Sequence, residues 1–344
     1  MTIINGESND SVATINGGYS VYGISGDAIS GDHINIINRG YIDGGFGYTQ
    51  SGDAISGSYI NIDNSGWITG GGTASNDFGT PGLTGRAITG DHLTITNSGF
   101  IRGSYVNGKR SAALNFTGGA NSLTMNNGTW STSVRGDIIL DSVAAGSTEG
   151  NSLFITSNIT DASRSTVDGR LNAGSGTSVA FSGNKVTFSG DASFGEYASL
   201  TLTGNGGLAT KGSMTFGNGA QVKAAVSDWT QDSTDLLSAD NGISGLSMYN
   251  ISNTLLADGA RDYVHVSLSA NKLTYGLAWN AQDGSAHGDF ALRDGASLTL
   301  HTALADNTAT HATGWDGTSL TKSGNGVLDL AAQNTYTGST IIDH

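Results

Sequence analysis

The chain contains no cysteine and a single proline, Pro81, among its 344 residues. Without thiols, disulfide bridges and thiolate metal sites are excluded. No apolar run approaches the length of a transmembrane helix, and the opening Met1-Thr2-Ile3 is not typical of a signal peptide. The ending STIIDH stops in the middle of a strand pattern. We therefore expect an excised or mature fragment of a longer protein.

Charged residues are scarce at 13%, about half their usual share, and they are unbalanced. Fifteen basic residues face 29 acidic ones, which gives a net charge of -14. Binding to nucleic acid through released counterions needs the opposite sign, so we expect no nucleic-acid partner. The sequence also lacks the GxSxG, GDSG, HExxH and phosphate-loop motifs. We accordingly expect no catalytic residue, no metal site and no cofactor.

Glycine is abundant instead, with 53 residues, and much of it belongs to a near-repeat. Three segments align: GDAISGDHINIINRGYI from Gly26, GDAISGSYINIDNSGWI from Gly52 and GRAITGDHLTITNSGFI from Gly85. Repeats of 20–50 residues indicate a solenoid, in which each unit buries its apolar face against its neighbours. The unit is a strand, because Ile34-Asn35-Ile36 and its counterparts alternate with period two. The sequence predicts an all-β fold, one coil of a parallel β-helix per repeat.

The repeat is not equally regular along the chain, so we predict five segments of one continuous solenoid. Residues 228–290 are richer in large apolar side chains, which indicates either an excursion on the side of the rod or broader coils with a larger core. The segments are an opening coil (1–25), regular coils (26–130), irregular coils (131–227), broader coils or an inserted subdomain (228–313), and a truncated strand repeat (314–344).

Three stretches resemble known proteins. Leu320–Leu330 followed by Asn334–Gly338 resembles the β-strand repeat of autotransporter passengers in Gram-negative bacteria. The Gly26–Ile101 repeats are similar to the glycine-rich repeats of some passengers, including the polar surface protein that recruits actin machinery. Asn250–Trp315 resembles passengers of the AIDA type and the self-associating flocculation antigens.

The resemblance implies a right-handed parallel β-helix displayed at the cell surface, anchored in the outer membrane by a C-terminal barrel absent from this sequence. The family includes adhesins, self-recognising antigens that aggregate bacteria in biofilms, and some enzymes. The ligand, the choice between homotypic and heterotypic adhesion, cleavage and glycosylation remain open at this point.

An asparagine follows the apolar alternation in each copy. These residues are Asn38, Asn64, Asn97 and, in a fourth and more divergent copy, Asn127. Asparagine side chains can hydrogen-bond along a stack, and asparagine suits the turns of such a chain. We predict a structural ladder.

An aromatic residue lies three positions after each of these asparagines. The column is Tyr41, Trp67, Phe100 and Trp130. Ile42, Ile68 and Ile101 come next in the first three copies, and adjacent strand residues point to opposite sides. Since isoleucine is the more natural core residue, we expect the rings to face outward, as a platform for sugar rings or a partner surface.

One basic cluster, Arg102 with Lys109 and Arg110, lies near this column. It fits either an acidic glycan or an ordinary solvated loop. We include all three residues among the candidate ligand contacts.

Two acidic patterns have blander explanations. Asp27 and Asp53 occupy equivalent positions and are expected to be solvated turn residues. Asp32-His33 and Asp91-His92 suggest an acid–base pair, but neighbours on a strand face opposite ways. We therefore predict no side-chain contact within either dipeptide, unless it lies at a turn.

The leading hypothesis is an adhesin that acts through the side of the rod, because repeated weak contacts multiply. Its partners would be passengers on neighbouring cells, or a host or matrix glycan or protein. The alternative is a polysaccharide lyase or hydrolase on the same scaffold. A third option is a passive spacer that carries a functional tip.

Overall fold

The structure is a computed structural model. It describes residues 1–7, 13–72, 84–106, 109–126, 134–144, 147–157, 166–204, 207–225, 233–253, 262 and 265–343. Strands make up 49% of it and helices 2%, which confirms the predicted all-β, parallel β-helical fold. In this part of the chain no helix is long and apolar enough to cross a membrane.

The strands are short and numerous. In chain order they are β1 (Thr2–Asn5), β2 (Thr14–Asn16), β3 (Tyr19–Ser20), β4 (Ile29–Asn38), β5 (Tyr41–Asp43), β6 (Phe46–Gly47), β7 (Ile55–Asn64), β8 (Trp67–Thr69), β9 (Ile88–Asp91), β10 (Thr94–Asn97), β11 (Phe100–Arg102), β12 (Tyr105–Val106), β13 (Lys109–Arg110), β14 (Leu114–Phe116), β15 (Ser122–Asn126), β16 (Val134–Arg135), β17 (Ile138–Leu140), β18 (Ser152–Ser157), β19 (Thr166–Val167), β20 (Leu171–Ala173), β21 (Ser178–Gly183), β22 (Val186–Phe188), β23 (Ala192–Phe194), β24 (Ser199–Thr203), β25 (Leu208–Thr210), β26 (Met214–Phe216), β27 (Gln221–Ala225), β28 (Ser233–Ala239), β29 (Ile243–Ser244), β30 (Ile251–Asn253), β31 (His265–Leu268), β32 (Lys272–Gly276), β33 (Asp289–Ala291), β34 (Ser297–Leu300), β35 (Leu320–Ser323), β36 (Val327–Leu330) and β37 (Thr340–Ile342). Met248–Asn250 and Ala278–Asn280 form single 3-10 turns.

Each coil contributes one strand to each of three parallel sheets, which we call the first, second and third faces in chain order. The first face contains the first halves of β4 and β7, then β9, β14, β17, β20, β23, β26 and β29. The second contains β1, the second halves of β4 and β7, then β10, β15, β18, β21, β24, β27 and β30. The third contains β2, β5, β8, β11 and β16, then β19, β22, β25 and β28.

The core is a stack of identical apolar positions. On the third face Ile42, Ile68 and Ile101 lie in register and are fully buried. Because successive residues of a strand point to opposite sides, their neighbours are directed outward. Burial of each isoleucine contributes about 1.5–3 kcal/mol, which a solenoid gains only once its coils are stacked.

The parallel pattern changes beyond residue 233. Strand β28 is parallel to β25 but antiparallel to β32, which in turn forms an antiparallel pair with β31. Parallel pairs return with β33–β35–β37 and β34–β36. This last part packs around Trp279, which is fully buried and whose ring centroid is 4.6 Å from that of Trp315.

Candidate ligand-binding site

The asparagines between the second and third faces form one hydrogen-bonded row. Asn38 Nδ2 donates to Asn64 Oδ1 at 2.7 Å, and Asn64 Nδ2 donates to Asn97 Oδ1 at 2.6 Å. Asn5 precedes them and donates to Asn38 Oδ1 at 2.8 Å. All are buried, so their role is structural. Asn5 was not among the predicted members, although Ile3-Ile4-Asn5-Gly6 repeats the apolar–Asn ending of the later copies.

The predicted fourth member was placed in the wrong register. Strand β15 pairs with β10 so that Met125, a buried residue, lies opposite Asn97. Asn127 is therefore two positions beyond the row, and it lies outside the described residues. Sequence similarity aligned the asparagines, but packing selected Met125.

The rings of the third face point outward and stack on one another. The centroids of Tyr41 and Trp67 are 5.9 Å apart, and those of Trp67 and Phe100 are 4.0 Å apart, with 22° between the planes in both pairs. Each ring is half-buried. Stacking covers the faces between successive rings, so a ligand would meet mainly the ring edges. Trp130 lies outside the described residues.

Arg102 lies over this ring column, which we define as Tyr41, Trp67 and Phe100. Its Cζ atom is 4.1 Å from the Trp67 centroid and 5.0 Å from the Phe100 centroid. A guanidinium over an aromatic face is stabilised by the ring quadrupole. Burial, followed by the positive charges of Arg135 and Arg110, lowers the pKa of Arg102. The rings therefore hold a cation in place.

Two further arginines stand beside it. Arg110 lies 4.9 Å from the exposed Tyr105 ring and donates from Nη1 to Gly103 O at 3.0 Å. Arg135 pairs in register with Arg102 and is exposed. We call Arg102, Arg110 and Arg135 the arginine cluster. Lys109 is in β13, and its side chain lies outside the described part.

Arg135 was not predicted, although the sequence contains a signal for it. Val134-Arg135-Gly136 repeats the apolar–Arg–Gly order of Ile101-Arg102-Gly103. The segments between these motifs differ in length and sequence from those of the earlier coils. The equivalence of Arg135 and Arg102 is therefore visible only once the coils are stacked.

A second ring stack lies at the corner between the first and second faces. His33, Tyr59 and His92 have left-handed φ angles of 57°, 55° and 52°, and their centroids are 4.8 and 4.3 Å apart. This conformation costs an ordinary residue about 1–2 kcal/mol. The sequence does not predict this stack, because the alternating pattern places all three positions within strands.

The corner also brings Asp91 and His92 into contact, the case that the sequence prediction excepted for a dipeptide at a turn. His92 Nδ1 is 2.8 Å from Asp91 Oδ2, because the left-handed residue turns both side chains outward. Hydrogen bonding by Ser58, and then by His92, lowers the pKa of Asp91. Glu149 approaches from the other side, with Oε2 4.0 Å from His92 Nε2.

The aspartates near the start of the first two repeats, Asp27 and Asp53, each accept a hydrogen bond from the backbone of the next coil. Asp27 Oδ1 accepts from the Asp53 amide at 2.7 Å, and Asp53 Oδ1 accepts from the Arg86 amide at 2.6 Å. Burial raises the pKa of Asp53, although the Arg86 contacts oppose the change. These are structural contacts, rather than merely solvated turn residues. Among the described residues, no cluster of three His, Cys, Asp or Glu could hold a metal ion.

Comparison with known families gives a match to one segment of the chain. Residues 220–278 match the family model of the VirG insertion domain (VID), and this segment contains the change from parallel to antiparallel pairing. No curated protein and no solved structure matches the chain. The VirG insertion domain is found in autotransporter passengers, and the solenoid fits that class. The match and the solenoid support the resemblance to autotransporter passengers, a class with an extracellular, surface location.

Proposed function

We propose that this passenger is an adhesin that binds neighbouring passengers, or host or matrix ligands, through the outer surface of the third face. Anchorage at the outer membrane belongs to the same proposal. The observation that carries it is the ring column with Arg102 laid across it. The isoleucines beneath already fill the core, so the rings are not needed there. Aromatic residues and arginine dominate the binding energy of protein interfaces.

The first test is a two-colour clumping assay. Cells that display the full-length protein are mixed with non-displaying cells of another colour, at two salt concentrations. Two rods of net charge -14 repel at long range, so self-recognition should strengthen as salt screens that charge. Attachment to immobilised glycans and matrix proteins is measured in parallel.

The third face is then altered in the same assays. Trp67→Ala should reduce clumping or attachment at least tenfold, because truncation of a central interface residue commonly costs more than about 1.4 kcal/mol. The matched control is Phe154→Ala, which removes an exposed ring from the second face. Equal adhesion by both variants would contradict the proposal and favour a passive spacer.

A second candidate, a polysaccharide lyase or hydrolase, has one observation in its favour. His92 lies between the carboxylates of Asp91 and Glu149 on a half-exposed corner. Incubation with acidic polysaccharides would test it. New reducing or unsaturated ends that disappear in His92→Gln would favour the enzyme, whereas no new ends would leave adhesion as the function.

A further inference from the structure

We propose that the third face binds an acidic group of a glycan, a carboxylate or a sulfate, between Arg102 and Arg135, with Arg110 beside them. This inference rests on the proposed adhesive function and names the chemistry of its ligand.

Positive charge is concentrated on this part of the third face. In a chain of net charge -14, three guanidinium groups gather at one place, and the Arg102 guanidinium feels both others. The Arg110 Nε atom has one carboxylate nearby, Asp168 Oδ2 at 3.7 Å. For Arg102 and Arg135, the described residues provide no carboxylate within salt-bridge distance. Like charges gathered this way repel each other unless an anion joins them.

The Arg102 side chain is preorganised for binding. Ring stacking fixes the plane of the Arg102 guanidinium, and its Nε atom is buried without a hydrogen-bond partner in the described part of the chain. A planar fork of N–H donors matches the oxygen pairs of a carboxylate or sulfate. A guanidinium already held in place loses little side-chain entropy when it binds.

The positive stretch of the third face, which we call the window, is short. Along the outer column of the third face the residues in register are Asp43, Thr69, Arg102, Arg135 and Asp168. Neighbouring strands lie about 4.8 Å apart. Arg102 and Arg135 are on neighbouring strands, with Thr69 before the pair and Asp168 after it, so the positive stretch is one strand spacing long. That length accommodates one acidic group.

The window argues for a glycan over a nucleic acid. Each strand of duplex DNA carries one phosphate per about 3.4 Å of helix axis and would place charges beside Asp168 and Asp43. A glycan also offers neutral hydroxyl groups and ring faces beside its acidic groups. Its neutral parts would meet Thr69 and the Tyr105 ring, which is 61% exposed.

The test measures binding of the purified full chain to three polymers and one oligonucleotide. Polygalacturonate presents carboxylates, dextran sulfate presents sulfates, unmodified dextran presents neither, and single-stranded DNA presents phosphates. We expect binding to one or both acidic polysaccharides, weakening as salt rises, and none to dextran. The two acidic polymers distinguish the carboxylate from the sulfate source.

Two variants locate the site. Arg135→Gln alters an exposed side chain and should weaken binding at least tenfold while leaving the melting temperature unchanged. Arg102→Gln should do the same, and it is interpreted only if circular dichroism matches the parent chain. The control is Lys223→Gln, an exposed cation on the second face, which should bind like the parent.

The outcomes separate this inference from the adhesive function. Adhesion that depends on Trp67, without binding to either acidic polysaccharide, would overturn the inference and retain the function. The inference would also be overturned if Arg135→Gln and Arg102→Gln bound the acidic polysaccharides as well as the parent chain does. Equal binding of the parent chain to DNA would overturn it too. If the parent chain shows no adhesion, and Trp67→Ala therefore has no effect, the proposed adhesive function itself is wrong.

Discussion

Early and later coils place their buried polar row at different corners of the same solenoid. In the early coils the row lies between the second and third faces, and the position then becomes apolar. In register it reads Asn5, Asn38, Asn64, Asn97, Met125, Ile155, Phe181, Leu202 and Ala224. Between the first and second faces the order is reversed. There Asn121 and Asn151, which bond at 2.9 Å, come after Leu93.

The difference indicates what the row is for. At the early corner the chain turns through Asn38-Arg39-Gly40, and a Cβ at the equivalent Gly66 would lie 2.2 Å from Gly40 O. At the later corner Asn121 Nδ2 donates to Thr117 O and Gly119 O. A carboxamide can satisfy a buried turn carbonyl and still bond to the next coil. The buried asparagine row therefore lies at whichever corner contains the tight glycine turn.

The largest effect should come from Asn64→Ala. It leaves Asn38 Nδ2 short of an acceptor and Asn97 Oδ1 short of a donor, and each unsatisfied buried group costs about 1–3 kcal/mol. We expect a loss of roughly 3 kcal/mol in the free energy of unfolding, measured by urea denaturation. The control is Asn61→Ala, whose exposed bond to Asn35 should matter by less than about 0.5 kcal/mol. Equal losses would mean that burial does not set the row apart.

Met125→Asn tests whether the row can be extended at the early corner. The new amide would face Asn97 on one side and the buried Ile155 on the other. An amide without a partner on its apolar side should cost about 2 kcal/mol. Met125→Leu, which nearly conserves volume, should cost less than about 1.5 kcal/mol. A stabilised Met125→Asn chain would show that the turn does not determine the row.

The neutral rows should be insensitive to pH, in contrast to a carboxylate turn near the C-terminal end. Asp316 accepts from Ser319 Oγ and from the amides of Thr318 and Ser319, which lowers its pKa to about 2. Because the folded pKa lies below the ordinary aspartate value of 3.8, this stabilisation is present above pH 3.8 and is lost as the pH falls towards 2. The melting temperatures of the parent and Asp316→Asn should therefore differ at pH 6 and converge near pH 2. A constant difference would contradict this assignment.

Ala120→Gly should have the smallest effect, and it should stabilise the chain. Ala120 has a left-handed φ of 56°, at the corner position that His92 occupies one coil earlier. Glycine removes the steric cost, offset by its greater freedom when unfolded, for a net gain of about 0.5 kcal/mol. Ala180→Gly, in strand β21, should instead lose about 0.5–1 kcal/mol. A loss at Ala120 would show that its methyl group has a packing role.

Sequence reasoning went furthest where the information is local. Alternation within one strand correctly oriented Tyr41 outward and Ile42 inward, because adjacent residues alternate regardless of the rest of the fold. Alternation could not decide whether Asp91 and His92 touch, because the left-handed corner between the two strands interrupts it. It also missed Arg135, whose equivalence to Arg102 depends on coils of unequal length.

The sequence by itself determined the repeating strand, the solenoid and the likeness to autotransporter passengers, since period and composition are written along the chain. Only the tertiary structure decided that Met125 lies opposite Asn97, that the rings cover one another's faces, and that three arginines meet. The physical reason is register. A loop between coils can absorb extra residues at little cost, so the packing of side chains across coils selects which residues become neighbours.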